Sequence, residues 1–269
     1  MSQSSSQRRA LSRKAEEKGV LDALVVEHGP IELLGLFVLA ADEAIHTGGL
    51  TANVAPLDTL VEANNANAKA WRPMLPVLVP ELAGFAPEDA FAIVVRNSSG
   101  EVVATNACRR FDWSSTTMAV ELESMRFFYE NPARDRRPGE RCIVSAPSAD
   151  SIGGEVVYFG GSWCHPDYRG RALSGIVSRL GKAFALARWP LTHGVGLMLE
   201  EVYRRGFAHH LGFADIEWDI KLINSRQGDK SYGLLCATPD DIASDLAMFL
   251  ASLGRDDGGT LGHSRAKHP

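Results

Sequence analysis

The stretch Ser162-Trp163-Cys164-His165-Pro166-Asp167-Tyr168-Arg169-Gly170-Arg171-Ala172-Leu173-Ser174-Gly175 has the residue types and spacing best suited to chemistry. It follows the apolar run Val156 to Phe159, which reads as a buried strand. It leads into a helical stripe at Leu173, Ile176, Val177, Leu180, Phe184 and Ala187, ended by Trp189-Pro190. A strand that enters a tight loop and opens into a helix leaves the first helical N–H groups unpaired, with the positive end of the helix dipole behind them. Gly170 removes a side chain where a ligand must approach the backbone, and Arg169 and Arg171 add positive charge. Such a place suits a pyrophosphate. The pattern is neither a Gly-Lys-Ser/Thr loop nor a G-x-G-x-x-G turn. An isolated Arg-Gly-Arg would more often be solvated charges around a turn; the strand-loop-helix context reverses that and favours the anion site.

Other constellations are weaker. There is no G-x-S-x-G, no H-E-x-x-H and no His/Cys cluster at metal spacing, so no metal is expected. Cys164 and His165 are neighbours on an extended strand and point to opposite faces, so they do not form a nucleophilic pair, and Cys164 reads as a small buried filler. The four cysteines, Cys108, Cys142, Cys164 and Cys236, form no C-x-x-C and fit reduced thiols. Arg134, Arg136, Arg137 and Arg141 are either a solvated basic loop or a means of screening nucleotide phosphates or gathering an anionic acceptor.

The elements around this segment follow from periodicity. Residues 20–28 and 32–46 read as helical or mixed, and Leu57, Leu60, Val61 and Trp71 suggest a helix ending before Pro73. Phe91 to Val95 and Val102 to Ala107 flank Asn97-Ser98-Ser99-Gly100 as a hairpin. Met118, Leu122, Met125 and Tyr129 lie on one helical face, with N-cap candidates from Ser114 to Thr117. A Pro-, Arg- and Ser-rich loop is expected from Asn131 to about Gly154. After the central helix, Val195, Leu197 and Leu199 alternate as a strand, and a short helix over 200–210 stops at Leu211-Gly212-Phe213. Ile216, Trp218, Ile220 and Leu222 alternate with Glu217, Asp219 and Lys221, pair with Tyr232 to Cys236, and precede a last helix from Ile242 to Leu253.

The chain has 269 residues, a formal charge of -5, 45% apolar and 23% charged residues, with a pI near 5.9. That composition excludes whole-chain disorder and a multi-pass membrane protein, and it argues against a dedicated nucleic-acid binder. The longest apolar run, Ile31 to Ala41, contains Glu32 and is too short to span a bilayer. The basic start at Arg8, Arg9, Arg13 and Lys14 lacks a following apolar stretch. A cytoplasmic location is therefore expected, with disordered tails over 1–19 and 254–269 and one domain over 20–253. Within it, 20–90 are N-terminal elements, 91–236 the core and 237–253 a C-terminal helix.

His165-Pro166-Asp167-Tyr168-Arg169-Gly170-Arg171, at the turn from strand to helix, resembles the acyl-CoA segment of the GNAT superfamily of N-acetyltransferases. Leu211-Gly212-Phe213 and the order of elements over roughly 145 residues, Phe91 to Cys236, agree with it. Ala172 and Ser174 stand where that family usually has Gly; both are expected to tolerate a helix-start backbone, and the Ser174 hydroxyl could add a phosphate contact. The resemblance implies an α/β fold with a mixed, mostly antiparallel central sheet, a splayed parallel strand pair and flanking helices. It also implies transfer of an acyl group, acetyl foremost, from acetyl-CoA to an amine of a small molecule, with no metal, nucleic acid or membrane and with a homodimer left open. Ser162, Trp163 and Cys164 would then pair with the pantetheine arm. Gly170 lets the ligand approach, Arg169 lends charge, and the amides of Arg171, Ala172, Leu173, Ser174 and Gly175 would hold the pyrophosphate.

The catalytic groups are less clear from the resemblance. The family's tyrosine acid falls on Ala208, so Tyr203, His209 or His210 would have to substitute; Glu155, Glu200 and Glu201 compete as base. Tyr203 and Glu155 are carried forward. Two other readings stay open: a synthase of N-acyl amino acids or lactones with a longer acyl chain, and a degenerate acyl-CoA-binding module.

Overall fold

Alternation along the strands sets the architecture. In Ala90–Arg96, Phe91, Ile93 and Val95 enter one apolar cluster while Ala90, Ala92 and Val94 enter another. A strand buried on both faces must carry a layer on each side. The computed structural model describes residues 17–170 and 172–253, without the side chains of Phe207 and His209.

In chain order the elements are β1 (Lys18–Gly19), α1 (Val20–Ala23), α2 (Ile31–Thr47), β2 (Thr51–Ala55), α3 (Leu57–Ala66), α4 (Pro80–Ala83), β3 (Ala90–Arg96) and β4 (Val102–Trp113). There follow α5 (Met118–Glu123), α6 (Pro132–Asp135), β5 (Arg141–Val144), β6 (Gly154–Cys164), α7 (Leu173–Arg188) and β7 (His193–Leu199). The chain closes with α8 (Glu200–Tyr203), α9 (Phe207–His210), β8 (Ile216–Ser225), β9 (Gly228–Ala237) and α10 (Pro239–Leu253). The strands form one sheet in the order β1-β2-β3-β4-β6-β7-β9-β8-β5. Every pairing is antiparallel except β6 with β7. This is the expected mixed, mostly antiparallel α/β sheet.

One face carries α2, α7 and α10 over an aliphatic core that includes Phe37, Val177, Leu180 and Phe184. The other carries α3, α5 and the segment 71–78, with Trp71, Trp113, Phe127, Phe128, Tyr158 and Trp163 among its buried side chains. Helix α7 runs against the centre of the sheet. A Cβ at Gly181 would lie 2.1 Å from Asn106 Oδ1 on β4, so only glycine fits where helix and strand approach. No helix among the described residues is long and apolar enough to cross a membrane.

Five expectations need correction. Lys18 and Gly19, placed in a tail, pair with Val54 and Asn53 of β2; the other tail residues, 1–16 and 254–269, lie outside the described residues. Helix α3 stops at Ala66, where Asn67 Nδ2 donates to the Ala63 carbonyl, so Trp71 belongs to the following segment. Helix α5 ends at Glu123 because Met125 takes φ 67 and Phe127 N–H turns back to the Glu121 carbonyl. Met125 and Tyr129 are still buried, since a turn can bring them to the same core as a helix would. The expected loop over 131–154 contains α6 and also β5, which adds an edge strand against β8; four residues are too short to show a period. The helix expected over 200–210 is divided in two at Gly206, φ 77.

Candidate functional site

The site begins where two strands part. β6 and β7 pair only through Val156↔His193, Val157↔Gly194 and Tyr158↔Val195. Beyond Tyr158, β6 continues along β4 and β7 continues along β9. The divergence has a local cause. The β4–β6 register shifts between Thr105 and Ala107, and Gly161 sits at the shift with φ 59. A bulge bends the strand that carries it, and glycine alone takes that φ without strain. Thr105 Oγ1 donates to the Gly161 carbonyl at 2.7 Å and Asn106 Nδ2 to Ser162 Oγ at 2.9 Å, which fixes the bend. From Phe159 onward, one edge of β6 faces a cleft instead of a strand. The strands at 156–163 and 194–199 thus splay as expected.

The loop after β6 is folded by its own residues. His165 Nδ1 accepts from Asp167 N–H, Arg169 Nε donates to the Cys164 carbonyl at 3.2 Å, and Gly170 turns the chain at φ 78. A Cβ at Gly170 would meet no atom within 4 Å, so a side chain there would project into open space. Ala172 adopts φ 56 as the N-cap of α7 and makes no side-chain cap. The expectation that Ala172 would take a helix-start backbone is therefore corrected: it is left-handed, where an alanine is strained by about 1–2 kcal/mol. Within α7, Gly175 and Ile176 N–H both turn to the Ala172 carbonyl, and the amides of Leu173 and Ser174 have no intrahelical acceptor. Ser174 Oγ has no hydrogen bond among the described residues, and Arg171 lies outside them.

The cleft has a volume of about 210 Å³. Its floor is Phe159 to Ser162 of β6 and Gly196 to Leu199 of β7, and Leu211 and Phe213 close the α7 side. The segment 71–78 covers the other side as a strap. Trp71 stacks on Trp163 at 4.7 Å and 6°, Asn64 Nδ2 donates to the Arg72 carbonyl at 2.8 Å, and Gln227 Nε2 donates to the Pro73 carbonyl at 2.7 Å. The Arg72 guanidinium pairs with Glu201 of α8, which holds the Glu201 carboxyl below its ordinary range.

Neither catalytic residue expected from the sequence lines this cleft. Glu155 lies three residues before the splay and its carboxylate accepts from Arg110 Nε and Nη2 at 2.6 and 3.0 Å, with Asp89 on the same guanidinium. It is a structural anchor between β4 and β6. Tyr203 points away, 39% exposed, edge-on to Trp218 at 5.7 Å. Glu200 pairs with the exposed Arg204, and the His210 carbonyl accepts from Arg179 at 2.9 Å. Ala208 is buried at the position that resembles the family's tyrosine. The basic run 134–141 lies by β5, three strands from β7, and none of its arginines lines the cleft.

Two tyrosines that the sequence reading did not select do line it. Tyr158 is the last paired residue of β6 before the splay, and Tyr232 stands on β9 opposite Leu199. Both are buried, and neither hydroxyl has a hydrogen-bond partner among the described residues. Burial pushes the Tyr232 hydroxyl up to about 12 against the opposing pull of Arg72, and it raises Tyr158 further. Both hydroxyls therefore remain protonated donors at neutral pH. In sequence, both look like apolar strand positions; only the gap between β6 and β7 turns them into site residues.

No family model and no curated protein matches the chain. Solved structures that it is similar to include the spermidine N-acetyltransferase SpeG of Vibrio cholerae, in mutant form, at 9% identity and TM-score 0.41, covering 72% of this chain and 96% of that one. Another is RimJ of Mycobacterium smegmatis in complex with CoA-disulfide, at 13% identity and TM-score 0.41, covering 74% and 89%.

Proposed function

We propose that the chain is an acyl-CoA-dependent N-acyltransferase of the GNAT type, transferring acetyl from acetyl-CoA to the amine of a small molecule. The observation that carries this reading is the splay of β6 from β7 beside a glycine turn into α7. One strand edge is left unpaired for an extended, amide-bearing arm, and a row of helix-start amides stands at its end for a pyrophosphate. Backbone groups of Ser162, Trp163 and Cys164 would pair with the pantetheine arm, and the helix-start amides, foremost those of Leu173 and Ser174 that have no intrahelical acceptor, would take the pyrophosphate, while Gly175 N–H is already held by the Ala172 carbonyl.

The donor supplies an acetyl thioester. In the transfer, the amine nitrogen forms a bond to the acetyl carbon, the carbon–sulfur bond breaks, and the sulfur receives the electron pair and the proton the amine loses. Tyr232 and Tyr158, as protonated donors in an apolar cleft, are the groups able to stabilise the carbonyl oxygen or the departing sulfur. Cys108, Cys142, Cys164 and Cys236 are free thiols, which supports a cytoplasmic location.

Ala208 favours a second reading, an acyl-CoA-binding module without turnover. The binding step is common to both and is tested first. Acetyl-CoA should raise the melting temperature of the wild-type chain, and Gly170→Trp, which fills the open space at the turn, should lose that shift. An equal shift in both proteins would contradict the assigned loop, and no shift in the wild type would contradict both readings.

A further inference from the structure

We propose that the acceptor is a small primary amine with an apolar or aromatic body and no second charge. The inference rests on the acyltransferase reading above and concerns the strap side of the same cleft. Its surface there is made by Trp71, Met74, Leu75, Tyr158, Leu197 and Tyr232. The titratable residues lining the whole cleft are Arg72, Tyr158 and Tyr232; no carboxylate and no histidine lines it among the described residues. Glu201 reaches its rim only as the partner of Arg72.

This chemistry discriminates between classes of amine. A diamine or polyamine would bring a second ammonium either against apolar walls with no carboxylate lining them or beside the Arg72 guanidinium, and a charge taken from water without a partner is costly. Attraction to a ring face would offset only part of that cost, and one face of Trp71 is covered by Trp163. An acceptor carboxylate would have to displace Glu201 from Arg72. An apolar body gains from burial against the same walls. The volume of about 210 Å³ limits that body to a small one, below the 300–1,000 Å³ of drug-sized sites. The strap is held at Arg72 and Pro73 by hydrogen bonds and at Trp71 by stacking, so the walls are preformed.

The same walls account for the missing base. Burial in apolar surroundings lowers the pKa of an ammonium, so a cleft of this kind selects the neutral, nucleophilic form of a monoamine without a side chain to deprotonate it.

The test compares matched acceptors with acetyl-CoA and the full chain: butylamine against 1,4-diaminobutane, and 2-phenylethylamine against phenylalanine. Butylamine and 2-phenylethylamine, which carry no second charge, should each have the higher kcat/KM of their pair, by about 100-fold for the diamine comparison. Binding of N-acetyl-2-phenylethylamine, read by the fluorescence of Trp71 and Trp163, gives a readout without turnover; saturable quenching is expected, and its absence would count against the assigned walls. Met74→Glu, which adds a carboxylate on the strap, should bring the diamine to at least parity, while Met74→Gln should not. A wild-type preference for diaminobutane or for phenylalanine would overturn the inference and leave the acyltransferase reading standing. Faster transfer from octanoyl-CoA than from acetyl-CoA would assign the apolar walls to the acyl chain and also overturn it. Acetyl-CoA binding without turnover of any amine would instead overturn the catalytic reading on which the inference rests.

Discussion

Tyr232 is the side chain to which the proposed function assigns the donor in the cleft. Its side chain is buried and lines the cleft; its hydroxyl has no hydrogen-bond partner among the described residues and is pushed up to about 12 by desolvation. A donor of that kind has no charge to lose across the working range of pH. Tyr232→Phe should lower kcat about 100-fold, the scale of one lost transition-state donor, while the affinity for acetyl-CoA changes less than two-fold. Retained kcat would remove Tyr232 from the chemistry. Activity of the wild type should also rise with pH in step with the neutral fraction of the amine acceptor, with no alkaline loss up to about pH 11. A fall centred near pH 9 would point to another titrating donor. The contrast with Glu155 shows why position alone misleads: it sits at the start of the right strand, yet Arg110 holds both of its carboxylate oxygens. The partner that decides its role is 45 residues away in sequence.

At the scale of elements, α7 does two jobs: it closes one side of the cleft at Ser178 and fills the core behind it. The second job has an unusual component. Lys182 is fully buried, donates to the Gly212 carbonyl, lies over the Phe213 ring at 3.6 Å, and is lowered to about 7 by desolvation. Asp245 pulls it up, while Arg179 adds to the lowering. Because the folded value lies below the ordinary 10.5, the unfolded chain holds a proton between about pH 7 and pH 10 that the folded chain has released. The contribution of Lys182 to stability therefore rises with pH across that window and is least favourable below it. Lys182→Met should be more stable than the wild type at pH 6 in urea unfolding, with the difference shrinking towards pH 10. A difference that is constant or grows with pH would contradict the assignment.

Strands β3, β4, β6, β7, β8 and β9, helix α7 and the stop at Leu211-Gly212-Phe213 were legible as elements from periodicity and turn residues. The start of α5 was legible but its end was not, and neither was β5, since burial by a turn imitates a helical face and a short edge strand leaves no period. The glycine turn into α7, to which pyrophosphate binding is proposed, was legible as a local structure because one contiguous segment builds it. The acceptor side was not, because Trp71, Tyr158 and Tyr232 come from three distant parts of the chain and meet only through the sheet order.

For the molecule as a whole, the sheet order makes the cleft. β6 and β7 are the sole parallel pair among the described strands, and α7 is the crossover that such a pair requires, starting after β6 has run on past the splay to Cys164. The N-terminal residues then supply α3 and the strap, which close the side opposite α7. The cleft thus lies along the unpaired edge of β6, and the same strand leads on to the glycine turn before α7. The measurement that tests this account most directly is release of free coenzyme A thiol from acetyl-CoA, followed with and without an apolar primary amine. The account predicts amine-dependent release in equal amount to N-acetylated amine. Acetyl-CoA that neither binds nor loses its acetyl group to any amine would contradict it.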